Sequence, residues 1–171
     1  TGSLIIDRKA GKVYAALSPR TSKQLVLDVA QKMKLKPILF TATDKHNRSI
    51  YHTNVMTTIG NGFAVVCMES IKSAEERRLV ANFFKEDNID VIEISFDQMN
   101  HFTGNLLQLV NEKGDPYLVM SSQAYSAFSK QQILQLEKHT SILHSDISTI
   151  ETIGGGSARC MMAEVFARPK N

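Results

Sequence analysis

The chain has 171 residues, a hydrophobic fraction of 43%, a charged fraction of 22% and a net charge of +3, values typical of an ordinary globular domain. No apolar run is long enough to span a membrane, and dispersed basic residues with few aromatics are unlike a nucleic-acid-binding surface. The two cysteines make no disulfide framework, and no segment has the pattern of a signal peptide. We therefore expect a cytoplasmic protein with reduced thiols and neither a membrane nor a nucleic-acid partner.

The predicted elements follow one order, strand–strand–helix–strand, three times along the chain. Alternating apolar residues predict the strands, and apolar residues at helical spacing predict each helix. The modules cover about residues 1–43, 50–96 and 102–147, and a closing strand is predicted within 151–168. The predicted strands are 4–6, 13–17 and 38–41, then 55–59, 63–68 and 91–94, then 106–110, 117–120 and 142–143. Repetition at this length indicates an array or a propeller of ββαβ modules in the α/β class.

The predicted helix starts support this alignment of the modules. A capping box pairs a Ser or Thr with a Glu or Gln three residues later, and the two side chains satisfy free amide donors of the first turn. Matches occur at similar positions in the three modules: Thr21 with Gln24, Ser73 with Glu76, and Ser129 with Gln132.

One polar residue precedes an apolar run at the same place in successive modules. Ser3, Asn54, Asn105 and Cys160 occupy this repeated position, at intervals of 51, 51 and 55 residues. Strand alternation predicts that His52 lies on the same face as Asn54, so a His and a distant Cys are expected near one pocket. That pair is a candidate for nucleophilic catalysis, and the alternative is a buried structural thiol beside a core histidine.

Three other charged residues are candidates for binding roles. Arg20, between a strand and a helix, could bind a carboxylate in a bidentate manner, or it could be a solvated surface residue. Glu69 and Glu151 could orient a cation or be structural. No His or Cys pair has metal-ligand spacing, so we expect no metal and no cofactor.

The repeated modules, the motif His52-Thr53-Asn54 and the segment 154–160 (GGGSARC) together resemble the guanidino-group-modifying, or amidinotransferase, superfamily. This superfamily includes arginine deiminase, dimethylarginine hydrolase and glycine amidinotransferase. Several segments are most similar to its citrulline-utilisation hydrolases: 1–3, 17–21, 52–56, 102–105 and 154–160, with 163–164. The resemblance implies a five-bladed α/β propeller, of which residues 1–171, as a single domain, would be the C-terminal part.

The resemblance also implies roles for individual residues. Cys160 would be the nucleophile that attacks the central carbon of a guanidino or ureido group. His52 would protonate the departing ammonia and then activate water to hydrolyse the covalent adduct. Arg20 would hold the α-carboxylate of the substrate.

The remaining site residues would line the substrate pocket. Gly155 and Gly156 would bring backbone close to the substrate, and Asn105 occupies the repeated position of the third module. Asn54 stands where deiminases carry an Asp that grips a guanidinium, and a neutral amide favours a citrulline-like ureido group over arginine.

Two alternatives to a C–N hydrolase stay open at this point. One is a non-catalytic propeller used as a binding module, since fold does not fix function, and the other is an amidinotransferase. In the superfamily, the other catalytic carboxylates come from N-terminal modules. We therefore expect two kinds of partner: the missing N-terminal propeller modules, and a small guanidino or ureido amino acid as substrate. A homo-oligomer is also left open.

Overall fold

Three small mixed sheets follow one another in the computed structural model, which describes residues 2–164. In each sheet, two strands form an antiparallel hairpin and the third strand pairs in parallel with the middle one. A helical connection joins the middle and last strands of every module. The mixed α/β class and the strand–strand–helix–strand order are as the sequence predicts.

The first module shows how narrow the apolar stripe of its helix is. Its elements are β1 (Ile5–Asp7), β2 (Lys12–Leu17), α1 (Lys23–Met33) and β3 (Lys36–Thr41). Val26 and Ala30 of α1 are buried, whereas Leu25 and Met33 are exposed. Only the i, i+4 pair Val26 and Ala30 is buried against the sheet, so the apolar stripe of α1 is narrow.

The second and third modules repeat this arrangement with changes in the helices. The second contains β4 (Thr57–Gly60), β5 (Phe63–Val66), α2 (Ala74–Glu86) and β6 (Asp90–Glu93). The third contains β7 (Leu107–Val110), β8 (Pro116–Ser121), α4 (Ser122–Ala127), α5 (Lys130–Leu136) and β9 (Ser141–Ser145), and the short α3 (Phe96–Asn100) precedes it. A last helix, α6 (Ser148–Gly154), leads to a 3₁₀ turn at Ala158–Met161.

The core is continuous across the modules. All four residues of β5 are buried, as are the first five of β2, which is the pattern of strands covered on both faces. The first strands of successive modules contact one another, β1 with β4 and β4 with β7. These inner strands, β1, β4 and β7, therefore stand side by side. Three of the repeated polar positions, Ser3, Asn54 and Asn105, lie two or three residues before them, whereas Cys160 precedes no strand in the described residues.

The helix caps confirm one predicted capping box fully and one in part. Ser129 forms the complete box with the glutamine three residues later. Ser73 accepts the Glu76 amide, but the Glu76 carboxylate accepts hydrogen bonds from β3 instead. The prediction at Thr21 is wrong, because α1 is capped at Ser22 without a side-chain bond.

Two predicted strands take a different form in the structure. Residues 148–154 are helical and 158–161 form a 3₁₀ turn, so the closing strand predicted within 151–168 is wrong in its described part, and 165–168 lie outside the described residues. The strand predicted at 55–59 begins at Thr57, after a 3₁₀ turn at Thr53–Val55. Both turns close through local amide–carbonyl bonds, such as Cys160 N–H to the Ser157 carbonyl, where polar residues and glycines favour turns. No helix within residues 2–164 is long and apolar enough to cross a bilayer.

Candidate active site

Three of the four repeated polar positions lie together, because the side chains of Asn54 and Asn105 both contact the sulfur of Cys160. Asn54 Nδ2 lies 3.6 Å from Cys160 Sγ, and Asn105 Nδ2 lies 3.3 Å from it. Asn105 Oδ1 is 3.5 Å from the same sulfur, so this amide can donate to a thiolate or accept from a thiol. Both asparagines are 3% exposed, whereas Cys160 is exposed. The arrangement presents an accessible thiol to two buried amides.

Asn54 is positioned by a turn rather than by the predicted strand. Its backbone amide donates to the Gly2 carbonyl at 2.9 Å. The neighbouring Thr53 Oγ1 donates to the Ser3 carbonyl at 2.7 Å and accepts the Ala16 amide at 2.9 Å. The turn therefore fastens the start of the second module to the first.

Asn105 is positioned by the close approach of Gly104 to the second module. A Cβ at Gly104 would lie 2.4 Å from the Val55 carbonyl oxygen, so only glycine fits there without movement. Asn105 Nδ2 also donates to the Asn54 carbonyl at 3.1 Å. Thr58 Oγ1 lies 2.8 Å from the Gly104 carbonyl oxygen, which ties the two modules together beneath the site.

Cys160 reaches the asparagines on the glycine-rich loop after α6. A Cβ at Gly156 would lie 3.2 Å from both Cβ and Sγ of Cys160, so the glycine leaves room for the sulfur. Arg159 Nη1 donates to the Leu106 carbonyl at 3.3 Å, and burial lowers the pKa of its guanidinium. The half-buried guanidinium of Arg159 thus belongs to the residue that directly precedes Cys160.

A cavity of about 160 Å³ adjoins the sulfur. Six of the seven predicted site residues line it: His52, Asn54, Asn105, Gly155, Gly156 and Cys160. A larger open groove of about 1410 Å³ runs past the same place and shares His52, Asn54 and Cys160 with the cavity. The predicted residues therefore lie together although the strand alternation used to predict this is interrupted by a turn.

Arg20 is the predicted site residue that the structure does not bring to the cavity wall. It is exposed, and its guanidinium lies 5.1 Å from the ring centre of Tyr51, which does line the cavity. Its carbonyl accepts a hydrogen bond from Ser3 Oγ at 3.1 Å, so Ser3 faces this residue. Burial and the nearby positive charge of Arg20 lower the pKa of His52. Arg20 thus lies at the rim of the cavity.

Sequence reasoning missed the apolar wall of the cavity. Tyr51, Val55, Met99 and Phe102 line it together with Asn100. Phe102 has a φ of 63°, which is unusual for a bulky residue. The adjacency of Tyr51 and Phe102 to the repeated motifs was the signal that could have indicated them.

The two acidic residues considered from the sequence have structural contacts. Glu69 Oε1 accepts the Phe96 amide at the start of α3, at 2.7 Å. Glu151 is buried and accepts the Ser157 hydroxyl. Within the described chain, no three His, Cys, Asp or Glu side chains are grouped so that they could hold a metal ion.

Solved structures share this fold at low sequence identity. The N-terminal domain of ArgZ, covalently bound to a reaction intermediate, has a TM-score of 0.72 and 15% identity over 94% of this chain and 53% of its own. ArgZ is described as an arginine dihydrolase from the ornithine–ammonia cycle in cyanobacteria. AgrE in complex with ornithine and NAD+ has a TM-score of 0.74 and 14% identity, over 99% and 23% of the two chains. A Cys-to-Ser variant of DDAH from Pseudomonas aeruginosa, in complex with citrulline, has a TM-score of 0.58 and 19% identity, over 91% and 51%.

These structures place the chain in the fold class of the guanidino-modifying enzymes. A family model described as eukaryotic N,N-dimethylarginine dimethylhydrolase matches residues 1–167. The chain belongs to this family, within the guanidino-modifying superfamily that the sequence motifs indicated. It spans about half the length of the ArgZ domain and of DDAH. The comparison with curated protein sequences gave no match.

Proposed function

We propose that this chain supplies the nucleophile and the general acid–base group of an enzyme that hydrolyses a C–N bond of a guanidino amino acid. The observation that carries this proposal is the contact of Cys160 Sγ with the amides of Asn54 and Asn105, at a cavity that His52 also lines. Nucleophile and base candidates that share a cavity are the arrangement expected for covalent catalysis. The family match and the covalent intermediate in ArgZ support the same chemistry.

The proposed reaction has two halves. Cys160 Sγ attacks the central guanidino carbon while its proton passes to His52, and the tetrahedral adduct then expels an amine, which takes the proton back from His52. A water molecule next attacks the thiouronium carbon as His52 accepts one of its protons. The C–S bond breaks, the ureido product leaves, and the cysteine regains its proton.

The surroundings of both groups suit these steps. Amide donors aimed at the sulfur stabilise negative charge on it as it becomes a nucleophile. Burial and the charge of Arg20 lower the pKa of His52, which favours the neutral imidazole that can accept a proton.

The family match favours a guanidino substrate, namely arginine or an N-methylated arginine. A citrulline-like ureido substrate is the second candidate, because Asn54 presents a neutral amide at the sulfur, which suits a neutral group. For either substrate, we propose that Arg20 binds the α-carboxylate from the rim beside Tyr51. Gly155 and Gly156 would let the substrate approach the backbone.

Further modules would complete this site in the whole protein. No Asp or Glu among residues 2–164 lines the small cavity, so a carboxylate that grips a guanidinium would have to come from elsewhere. The ArgZ domain and DDAH are each about twice as long as this chain. The inner strands β1, β4 and β7 stand side by side along an open groove. We propose that N-terminal modules close these three into a five-bladed propeller.

Assays on the complete protein would test this function. The protein is incubated with arginine, dimethylarginine or citrulline, and ammonia and dimethylamine are measured. We expect turnover of at least one guanidino compound, its loss in Cys160→Ala, and its retention in the matched control Cys67→Ala, which removes the buried thiol. Acid quenching should trap a mass adduct on Cys160.

Other outcomes distinguish the alternatives. Turnover that survives Cys160→Ala would refute the nucleophile assignment. Turnover of citrulline alone would establish the ureido candidate. Amidino transfer to added glycine would identify a transferase, and tight binding without turnover would favour the non-catalytic module.

A further inference from the structure

The loop that carries Cys160 is anchored by a buried carboxyl–hydroxyl pair. Ser157 Oγ lies 2.5 Å from Glu151 Oε1, to which it donates a hydrogen bond. The two residues are 0% and 5% exposed. A hydrogen bond buried away from water is electrostatically stronger than the same bond at the surface. The hydrogen bond between Glu151 and Ser157 is therefore expected to fix the positions of both residues.

The segment 155–160, here called the nucleophile loop, is bonded at both ends to these same two residues. The Glu151 carbonyl accepts the Gly155 amide at 3.0 Å, and the Ser157 carbonyl accepts the Cys160 amide at 2.9 Å. The second carboxyl oxygen of Glu151, Oε2, has no hydrogen-bond partner among the described residues. The side-chain anchor thus depends on the single bond to the Ser157 hydroxyl.

The loop between these residues needs an external constraint. Gly154, Gly155 and Gly156 are consecutive, and glycine has the greatest backbone freedom of any residue. Yet Cys160 Sγ must stay within 3.3 and 3.6 Å of the two asparagine amides, contacts that a displacement of about 1 Å would break.

We propose that Glu151 and Ser157 are positioning residues for the nucleophile, acting through the backbone of the loop. Glu151 holds the Ser157 hydroxyl, Ser157 holds the Cys160 amide, and the sulfur is thereby kept against Asn54 and Asn105. This inference rests on the proposed function, in which Cys160 is the nucleophile. Neither residue lines the cavity, so neither is expected to touch the substrate.

Variants of the complete protein test the anchor. Ser157→Ala removes the hydroxyl, Glu151→Gln keeps an acceptor for it, and Ser148→Ala removes an exposed serine of α6 as the matched control. We expect Ser157→Ala to lower kcat about 10- to 100-fold, as for a misplaced reacting group, with KM changed less than threefold. Glu151→Gln should retain most activity, and Ser148→Ala should be unchanged.

A second readout does not depend on turnover. Iodoacetamide labelling followed by peptide mass spectrometry reports Cys160, with buried Cys67 as the internal reference. We expect the labelling profile of Cys160 to move to higher pH in Ser157→Ala. In the Asn105→Ala background the same substitution should have a smaller effect, because the two changes disrupt one network.

Ser157→Ala leaves a buried carboxyl unpaired and could fail to fold. The double variant Glu151→Leu with Ser157→Ala replaces both polar groups by apolar ones, which is better tolerated, and it lacks the anchor in the same way. If a folded variant has wild-type kcat and a wild-type labelling profile, the inference is overturned while the proposed function stands. If Cys160→Ala retains turnover, the proposed function fails, and this inference fails with it.

Discussion

Replacing Asn105 by Asp is the sharpest test of the site's electrostatics. Asn105→Asp preserves the shape of a side chain that is 3% exposed. It converts an amide with its nitrogen 3.3 Å and its oxygen 3.5 Å from Cys160 Sγ into a carboxylate. A donor is thus lost, and a negative charge faces the sulfur that must become negative to react.

The size of the effect follows from Coulomb's law. Two unit charges about 3.4 Å apart repel by about 1 kcal/mol in bulk water and by about 5 kcal/mol at an effective dielectric constant of about 20. Because Cys160 is exposed while Asn105 is buried, we expect about 2–3 kcal/mol. This corresponds to a thiolate reaction that is about 30- to 150-fold slower.

The rate of iodoacetamide labelling of Cys160 at pH 8 measures this effect directly. Gln31→Glu, on the exposed side of α1, adds the same charge away from the site and should leave the rate unchanged. Asn105→Ala removes the donors without a charge and should fall between wild type and Asn105→Asp. If the folded Asn105→Asp protein is labelled within twofold of the wild-type rate, the electrostatic reasoning is wrong.

Further predictions concern packing, pH and a buried hydroxyl. Gly104→Ala places a Cβ 2.4 Å from the Val55 carbonyl oxygen, so it should lower the free energy of unfolding in urea by about 1–3 kcal/mol; an unchanged midpoint would contradict this. The pKa of His52 is lowered by burial and by Arg20, so its neutral form is favoured in the fold and its contribution to stability is lost as the pH falls below about 6.5. Arg20→Gln should raise the pKa of His52 in an NMR titration, and an unmoved curve would exclude the coupling. The Tyr14 hydroxyl is buried with no partner in residues 2–164, so Tyr14→Phe should leave stability equal or higher by up to about 1 kcal/mol; a loss of 2 kcal/mol would reveal a hidden partner.

The order of elements was predictable because it is encoded locally. The residues of β5, Phe63–Val66, form one apolar run, and Ser129 with its glutamine partner completes a capping box in the structure. Such signals depend only on neighbours in the chain. Thr21 fits the same capping pattern but donates to the Tyr51 carbonyl of the second module at 3.4 Å. The local capping motif at Thr21 is therefore replaced by a tertiary hydrogen bond to a residue 30 positions further along the chain.

The spacing of Asn54, Asn105 and Cys160 made their meeting predictable, although the reason was only partly correct. The strand alternation invoked at Asn54 and the closing strand predicted around Cys160 are both replaced by 3₁₀ turns. Their side chains converge because the modules stack, with Gly104 against Val55, and not because each position continues a strand. The catalytic roles of these residues stay predictions.

By itself, the sequence determined the repeated modules, the family and the polar residue that each module brings to its inner strand. These properties follow from periodicity, local hydrogen bonding and motif chemistry, which neighbouring residues carry. Only the tertiary structure decided that Arg20 stands at the rim and that Glu151 and Ser157 pair beneath the nucleophile loop. Which polar groups are buried together depends on how distant segments pack, and packing is a property of the assembled modules rather than of any one stretch of chain.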